Sequence, residues 1–400
     1  MALDTTSFAY ALKAHYDSKR MEQMTLKDNP FLALVPKKTD FGGDGTWTLP
    51  VMYAGPQRVS ATFAKAQANT STSKGIKFLI PRKSEFSLAS ISAEVMEASE
   101  GNANAFMEAA TLEIDQAINS ASRSTASALY GSGSGSLGAI ASISTATITL
   151  ADADSVMNFE VGMKLELSAT DGTGSVRSGT ITLVGINRDL GTITASASIT
   201  STISAATAGD FIFKEGDYAN KMTGLAGWLP TTAPTSGDNF FNVDRSADAT
   251  RLAGVRFDGT TMPIEEALNK CAARLAREGA TPSHTFLNYT KWSELVVSLG
   301  TKVQYVDVKV NAEIGFQGVM VNGPKGAIKV IPDINCPGNR AYMLTLDSWT
   351  FKTLKAAPRI LDADGNKMLR EASADSYELR IGSRGNLGCH APGYNAVISL

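Results

Sequence analysis

Histidine, cysteine and charge are all scarce in this 400-residue chain, and each shortage closes off a class of function. Cys271, Cys336 and Cys389 are odd in number, widely spaced and without a C-x-x-C. They predict no disulfide framework and point to folding in a reducing cytoplasm. His15, His284 and His390 lie far apart, and neither an H-E-x-x-H helix nor a nucleophile elbow accompanies them. The expectation is three structural histidines, with no catalytic residue, metal site or cofactor. No run of eighteen apolar residues spans a bilayer, and the first residues have neither the basic nor the apolar region of a signal peptide, so no membrane partner is expected. The formal net charge is only −2, which advertises neither tight nucleic-acid binding nor disorder.

What is present is a chain with 43% hydrophobic residues, long enough for two or three domains and a substantial core. Its charge is unevenly placed. Residues 1–136 balance, residues 137–217 carry four basic against nine acidic side chains, and residues 218–400 carry twenty against seventeen. An acidic middle and a mildly basic last part face different surroundings.

One stretch dominates the pattern. From Ala103 to Tyr130, Phe106, Ala110, Ile114, Ala117, Ile118, Ala121 and Ala128 recur every three or four residues, alanine is abundant and proline is absent. This predicts one helix roughly 40 Å long, at 1.5 Å per residue, with a single buried stripe of small side chains. Before it, Trp47, Leu49, Val51 and Tyr53 alternate as in a strand, and Pro50 confines that strand to an edge or an end. Further strands are expected at 76–80 and 85–89, with some twenty core-poor residues, 54–73, between the first two. Residues 1–36 mix apolar patches with charge, which fits equally an arm lying on a neighbour or a short helix on its own domain.

After the helix, Gly133 to Gly138 match G-x-G-x-x-G. A dinucleotide loop must follow a strand and open a helix, and here the order is reversed, so a flexible linker and domain boundary are expected. Residues 139–217 then alternate Thr, Ile, Val and Leu between turn signals, the pattern of a small sandwich or barrel. Beyond it, 263–279 reads as an amphipathic helix with Ile264, Leu268, Cys271 and Leu275 on one stripe, and Thr290 as the N-cap of a second helix. Asp362 to Lys367 resemble a calcium loop, but the sixth and twelfth positions are Lys367 and Ser373. A hairpin turn at Asp364-Gly365 is expected instead.

The succession of helix, Thr281-Pro282-Ser283-His284-Thr285-Phe286-Leu287-Asn288 strand, helix, Gly326-Ala327-Ile328-Lys329-Val330-Ile331-Pro332-Asp333 strand and Asn339-Arg340-Ala341-Tyr342-Met343-Leu344 strand resembles the major capsid proteins of tailed bacteriophages, which share the Hong Kong 97 fold. The likeness is one of order and texture, strongest over 281–352 and absent from 139–217. It implies an α+β subunit with an N-terminal arm (1–39), an extended β-hairpin loop overlapping a neighbour (40–92), a spine helix and peripheral domain (93–138), an inserted all-β domain (139–217), an axial domain (218–350) and a return to the peripheral sheet (351–400). It also implies self-assembly into hexamers and pentamers of an icosahedral virion shell, formed in the host cytoplasm around dsDNA held by non-specific contact. A portal, a separate scaffolding protein in place of a scaffolding segment of this chain, and a possible decoration protein complete the expected partners. The residues expected at contacts between subunits are Trp47, Tyr53, Arg58 and Phe63, because aromatic and Arg side chains anchor interfaces, together with Arg82 and Lys83 beside the loop. The alternatives are an encapsulin-like compartment shell and a phage tail or adhesin subunit.

Overall fold

In a computed structural model, residues 29–69, 71–94, 103–299, 305–309, 315–361 and 368–400 are described. His15, most of the N-terminal arm and the Asp362–Lys367 turn lie outside them.

The alanine-rich stretch is one helix, Ala103–Tyr130. Its small residues Ala117 and Ala121 are buried against Ala89, Leu379 and Ile381, while Ile114 and Ile118 are only partly covered. A stripe of alanines lets the backbone of a sheet approach closely, and that sheet is six-stranded. Its seam is the long strand Ser376–Cys389. Along one half of the seam, Lys83–Ser92 pairs antiparallel from Lys83↔Gly385 to Ser92↔Ser376. Along the other, Trp349–Thr353 pairs with 385–389, and Lys37–Lys38 adds a short parallel edge to it.

This pairing corrects the predicted extent of the hairpin. Only Thr46–Ala54 and Lys74–Pro81 pair with each other. The third strand leaves them at Arg82, because its partner face is supplied by residues nearly three hundred positions later. The hairpin is nevertheless not a free two-stranded ribbon. Trp47, Leu49, Phe78 and Ile80 are all buried at its root, inside an aromatic core shared with Phe31, Tyr130, Trp228, Tyr342 and Trp349. Trp228 sits at the middle of that core, with ring centroids 5.0 Å from Phe78, 5.1 Å from Phe240 and 6.4 Å from Trp349, and its indole N–H donates to the Leu387 carbonyl at 3.0 Å.

A seven-stranded mixed sheet forms the second body, in the order 255–258, 396–399, 340–344, 284–287, 326–332, 315–323, 305–309. Side chains alternate across it with period two. Phe286, Ile331, Tyr342, Leu344 and Val397 face the aromatic core, whereas Leu287, Val330, Met343 and Ile398 meet the helix Ile264–Arg277 and Leu295 of the helix Tyr289–Leu299. The predicted stripe Ile264, Leu268, Cys271 and Leu275 is buried there. The cap of the second helix is Asn288, not Thr290: its carboxamide oxygen accepts from Thr290 N at 3.0 Å while its Nδ2 donates to the Cys336 carbonyl.

Between the long helix and this sheet, six strands of residues 136–214 close into a barrel, in the order 211–214, 136–144, 147–150, 192–195, 181–187, 164–168. Its core, including Ile140, Ile148, Phe159, Leu165, Ile193 and Ile212, is drawn wholly from residues 137–212. The glycine run leading into it is not the flexible linker expected from its composition. It is stitched to the returning chain by Ala219 N to Ser134 O at 2.7 Å and Gly224 N to Gly131 O at 3.0 Å. A β-carbon on Gly135 would lie 2.4 Å from the Asp217 carbonyl, and one on Gly224 would lie 2.2 Å from the Leu129 carbonyl. The glycines are there so that two backbones can touch.

Close approach also governs the seam strand. A β-carbon on Gly388 would fall 2.3 Å from the Trp47 ring. Gly388→Ala is therefore expected to push the hairpin root off the sheet and to cost about 1–3 kcal/mol, the usual range for overpacking, seen as a lower denaturant midpoint with an unchanged slope.

Candidate assembly surfaces

The interior offers little chemistry. All three cysteines are buried; burial pushes Cys271 and Cys389 up to about 12 and Cys336 well above its usual value, so none is a ready nucleophile. Burial, helped by Lys329, pulls His284 down to about 4, which leaves it neutral. His390 is lowered by burial and by Lys38 and Lys352, and stacks edge-on to Trp47 at 6.0 Å. Among the described residues no three His, Cys, Asp or Glu side chains converge on a point that could hold a metal. A cavity of about 310 Å³ lies between the long helix, the glycine run and the barrel, where Arg123 pairs with Glu160 and Lys221 with Glu85 and Asp217.

Surfaces are more informative. The hairpin divides into a buried root and a bare arm. Outward from Met52, which is 73% exposed, Gly55–Lys65 and nearly all of the following residues to Gly75 face solvent, including the short helix Phe63–Ala68 with Phe63 82% exposed. Arg58 folds back to donate to the Ser71 carbonyl at 3.2 Å, which closes the arm's tip. Charge on this element is of one sign. Between Thr46 and Arg82 stand Arg58, Lys65, Lys74, Lys77 and Arg82, with no Asp or Glu. Among the described residues none of these five is in an ion pair.

The six residues expected at subunit contacts thus fall into three groups. Arg58 and Phe63 lie on the arm. Tyr53 is half-buried where the arm leaves the body, its carbonyl accepting from Arg251 Nη1. Trp47, Arg82 and Lys83 are engaged at the root of their own subunit. Trp47 is 8% exposed, packs against Phe41 and takes the Lys352 ammonium 4.9 Å above its ring. The Arg82 guanidinium lies 6.0 Å over Phe41, and Lys83 donates to the Ala219 carbonyl at 3.0 Å. Sequence alone marks an aromatic or a cation as an anchor without saying whether it anchors the subunit or its neighbour.

Two buried polar residues carry no mark in the sequence, Asn386 at the arm's base and Asp333 in the body. Asn386, fully buried, accepts Thr223 N–H at 3.0 Å and donates to the Pro81 carbonyl at 2.8 Å, tying the end of the hairpin to the seam strand. Asp333, 1% exposed, accepts from Phe31 N at 3.1 Å, Tyr130 Oη at 2.9 Å and Asn335 N at 2.9 Å, joining the short helix Pro30–Leu34, the long helix and the seven-stranded sheet. An Asn and an Asp inside ordinary strand endings give no periodic signal.

A second exposed apolar face lies on the six-stranded sheet, opposite the long helix. Phe86 and Leu88, each 55% exposed, are paired across the ladder with Gly382 and Arg380. The Arg384 guanidinium lies 5.8 Å over Phe86, so this face is cationic as well as apolar.

No protein-family model matches the sequence, and no curated protein does. By structure the chain is similar to a chain of the cyanophage A-1(L) capsid asymmetric unit, at 13% identity over 99% of both chains with a TM-score of 0.57. It also aligns with a capsid chain of an empty GTA particle (9% identity, 95% of this chain and 99% of that chain, TM-score 0.46) and with the capsid of the myovirus phage XM1 (9%, 96% of each, 0.45). The first alignment, end to end over both chains, shows that this chain has the mixed helix-and-sheet fold of a phage capsid subunit.

Proposed function

We propose that this protein is the major capsid subunit of a tailed phage, assembling with copies of itself into hexamers and pentamers that form an icosahedral head around dsDNA. The observation that carries this reading is the hairpin: a root buried in a rigid aromatic core presents an arm whose own chain covers almost none of it. Such a pre-organised arm loses little conformational entropy on docking, which is what an interface repeated hundreds of times requires. The role is structural, and catalysis is not part of it. The mild positive balance after residue 218 suits non-specific contact with packaged DNA, weakened by salt. A separate scaffolding protein and a portal belong to this reading, and decoration is compatible with it. On the same reading, the barrel of residues 136–214 is an insertion with its own core.

The test is direct. The purified chain, alone or co-expressed with its neighbouring phage genes, is expected to form closed shells or hexameric capsomers under negative-stain electron microscopy. Monodisperse monomers under all assembly conditions would overturn the proposal. Shells enclosing a cargo enzyme instead of being empty or holding DNA would replace it with a bacterial compartment.

A further inference from the structure

The arm needs a receptor, and among the described residues two exposed apolar surfaces stand out. One is the sheet face at Phe86 and Leu88, beside Arg380 and Arg384. Arg380 is paired with Glu378 there and Arg384 adds a further cation, so this face offers a cationic arm no unpaired acid. The other is one end of the barrel, where three segments meet. Gly162 N donates to Leu183 O at 2.9 Å, which brings Val161 beside Val184. Arg188 donates to the Phe159 carbonyl and to Glu160, which ties the turn 187–190 to them. A β-carbon on Gly191 would lie 2.7 Å from Ala153 Cα, so that turn also abuts Asp152 and Asp154. The result is an apolar patch with Val161 63%, Val184 54% and Leu190 68% exposed, rimmed by Asp152, Asp154 and Asp189. Among the described residues none of these three carboxylates is in an ion pair; Asp154 is held toward Thr290 with Lys291 nearby.

We infer that this acidic end of the barrel is the receptor for the hairpin arm of a neighbouring copy. The inference rests on the capsid reading and names the partner surface of its central contact. Arm and receptor match in both respects that the structure offers. Val59 (94% exposed) and Phe63 supply apolar area to Val161, Val184 and Leu190, and Arg58, Lys65, Lys74 and Lys77 face the carboxylates of Asp152 and Asp189, with Asp154 turned toward Thr290 and Lys291. The arm is bare in its own subunit, so the contact is made between copies. It joins two different patches of one chain, and such a head-to-tail contact forms rings when its rotation closes. Charge on both rims sets register and rate of encounter, and the apolar centre holds the pair.

The test uses the intact chain. Cys271, Cys336 and Cys389 are buried, so introduced thiols react alone. Assembled Phe63→Cys/Leu190→Cys protein, treated with a short bis-maleimide, is expected to give a covalent ladder up to the ring size, with neither single variant doing so. Lys65→Glu/Lys74→Glu is expected to raise the concentration needed for assembly about tenfold, as rim charges of this kind do. Adding Asp152→Lys/Asp189→Lys to it is expected to restore assembly. All these positions are at least partly exposed, and unchanged melting of the monomer verifies folding. Normal shells with no ladder and no charge effect would overturn the inference and place the arm elsewhere, with the capsid reading intact. Absence of any shell from the unaltered chain would remove both.

Discussion

Replacing residues 55–73 by Asn-Gly is expected to leave a folded chain that no longer assembles. Ala54 and Lys74 are register partners, so a two-residue turn of the type that fits a twisted hairpin can join them directly. The four buried root residues, Trp47, Leu49, Phe78 and Ile80, are untouched. Shortening a nineteen-residue connection to two lowers the entropic cost of closing it, and at about 0.6 kcal/mol per doubling of length the monomer should gain up to roughly 2 kcal/mol. A loss of shells together with an unchanged or higher denaturation midpoint separates a missing contact from a damaged fold. Size-exclusion chromatography and electron microscopy of the same preparation provide both readings. Shells of normal appearance would show that the arm is dispensable and would remove the main support for its role.

The parts of this fold that were readable from sequence are those in which a local period coincides with burial. The alternation Trp47, Leu49 and then Phe78, Ile80 is the buried side of the hairpin root, and the alanines at 117 and 121 are the helix face that meets the sheet, with Ala128 in the aromatic core. The alternation fades at Val51 and Tyr53 because there the strand leaves the core, a change that the residue types themselves do not announce. Non-local pairing was not readable. Lys83–Ser92 looks like a continuation of the hairpin until its ten-position ladder with 376–385 is seen, because strand register is fixed by a partner face and not by the strand. The glycine run shows a further limit. Gly-Ser repeats read as flexibility, yet Gly133 and Gly135 are held at positive φ against Thr223 and Asp217. Composition reports that a side chain is missing and leaves open whether the space goes to motion or to a second backbone. For the contact candidates the same ambiguity split six residues between the arm and the root.

The opposite kind of position, a polar group deep inside, makes the other large prediction. Asp333→Ala is expected to lower stability by roughly 3–5 kcal/mol, since it leaves the Phe31 N–H, the Tyr130 hydroxyl and the Asn335 N–H without their acceptor in the interior. The Phe31 ring stays wedged 5.5 Å from Tyr130 and 5.1 Å from Phe286, so the short helix at 30–34 should loosen before it detaches. Faster hydrogen exchange at the Phe31 amide is the local sign. Asp333→Asn behaves differently. Phe31 N and Asn335 N bond to different carboxylate oxygens, so its one amide oxygen keeps only one of them and its NH2 faces the other donor, and the cost should be about 1–3 kcal/mol, below that of the alanine. Burial raises the Asp333 pKa above its ordinary 3.8, and the donated hydrogen bonds pull it back without cancelling that rise. A carboxyl raised on folding contributes its full stability below the unfolded value and loses it as pH climbs through the folded one. The stability advantage of the native chain over Asp333→Asn should therefore shrink from acid toward neutral pH, measurable as converging urea midpoints between about pH 4 and about pH 7. Midpoints that diverge over that range would mean that the ionised carboxylate is the favoured buried form, held there by its three donors.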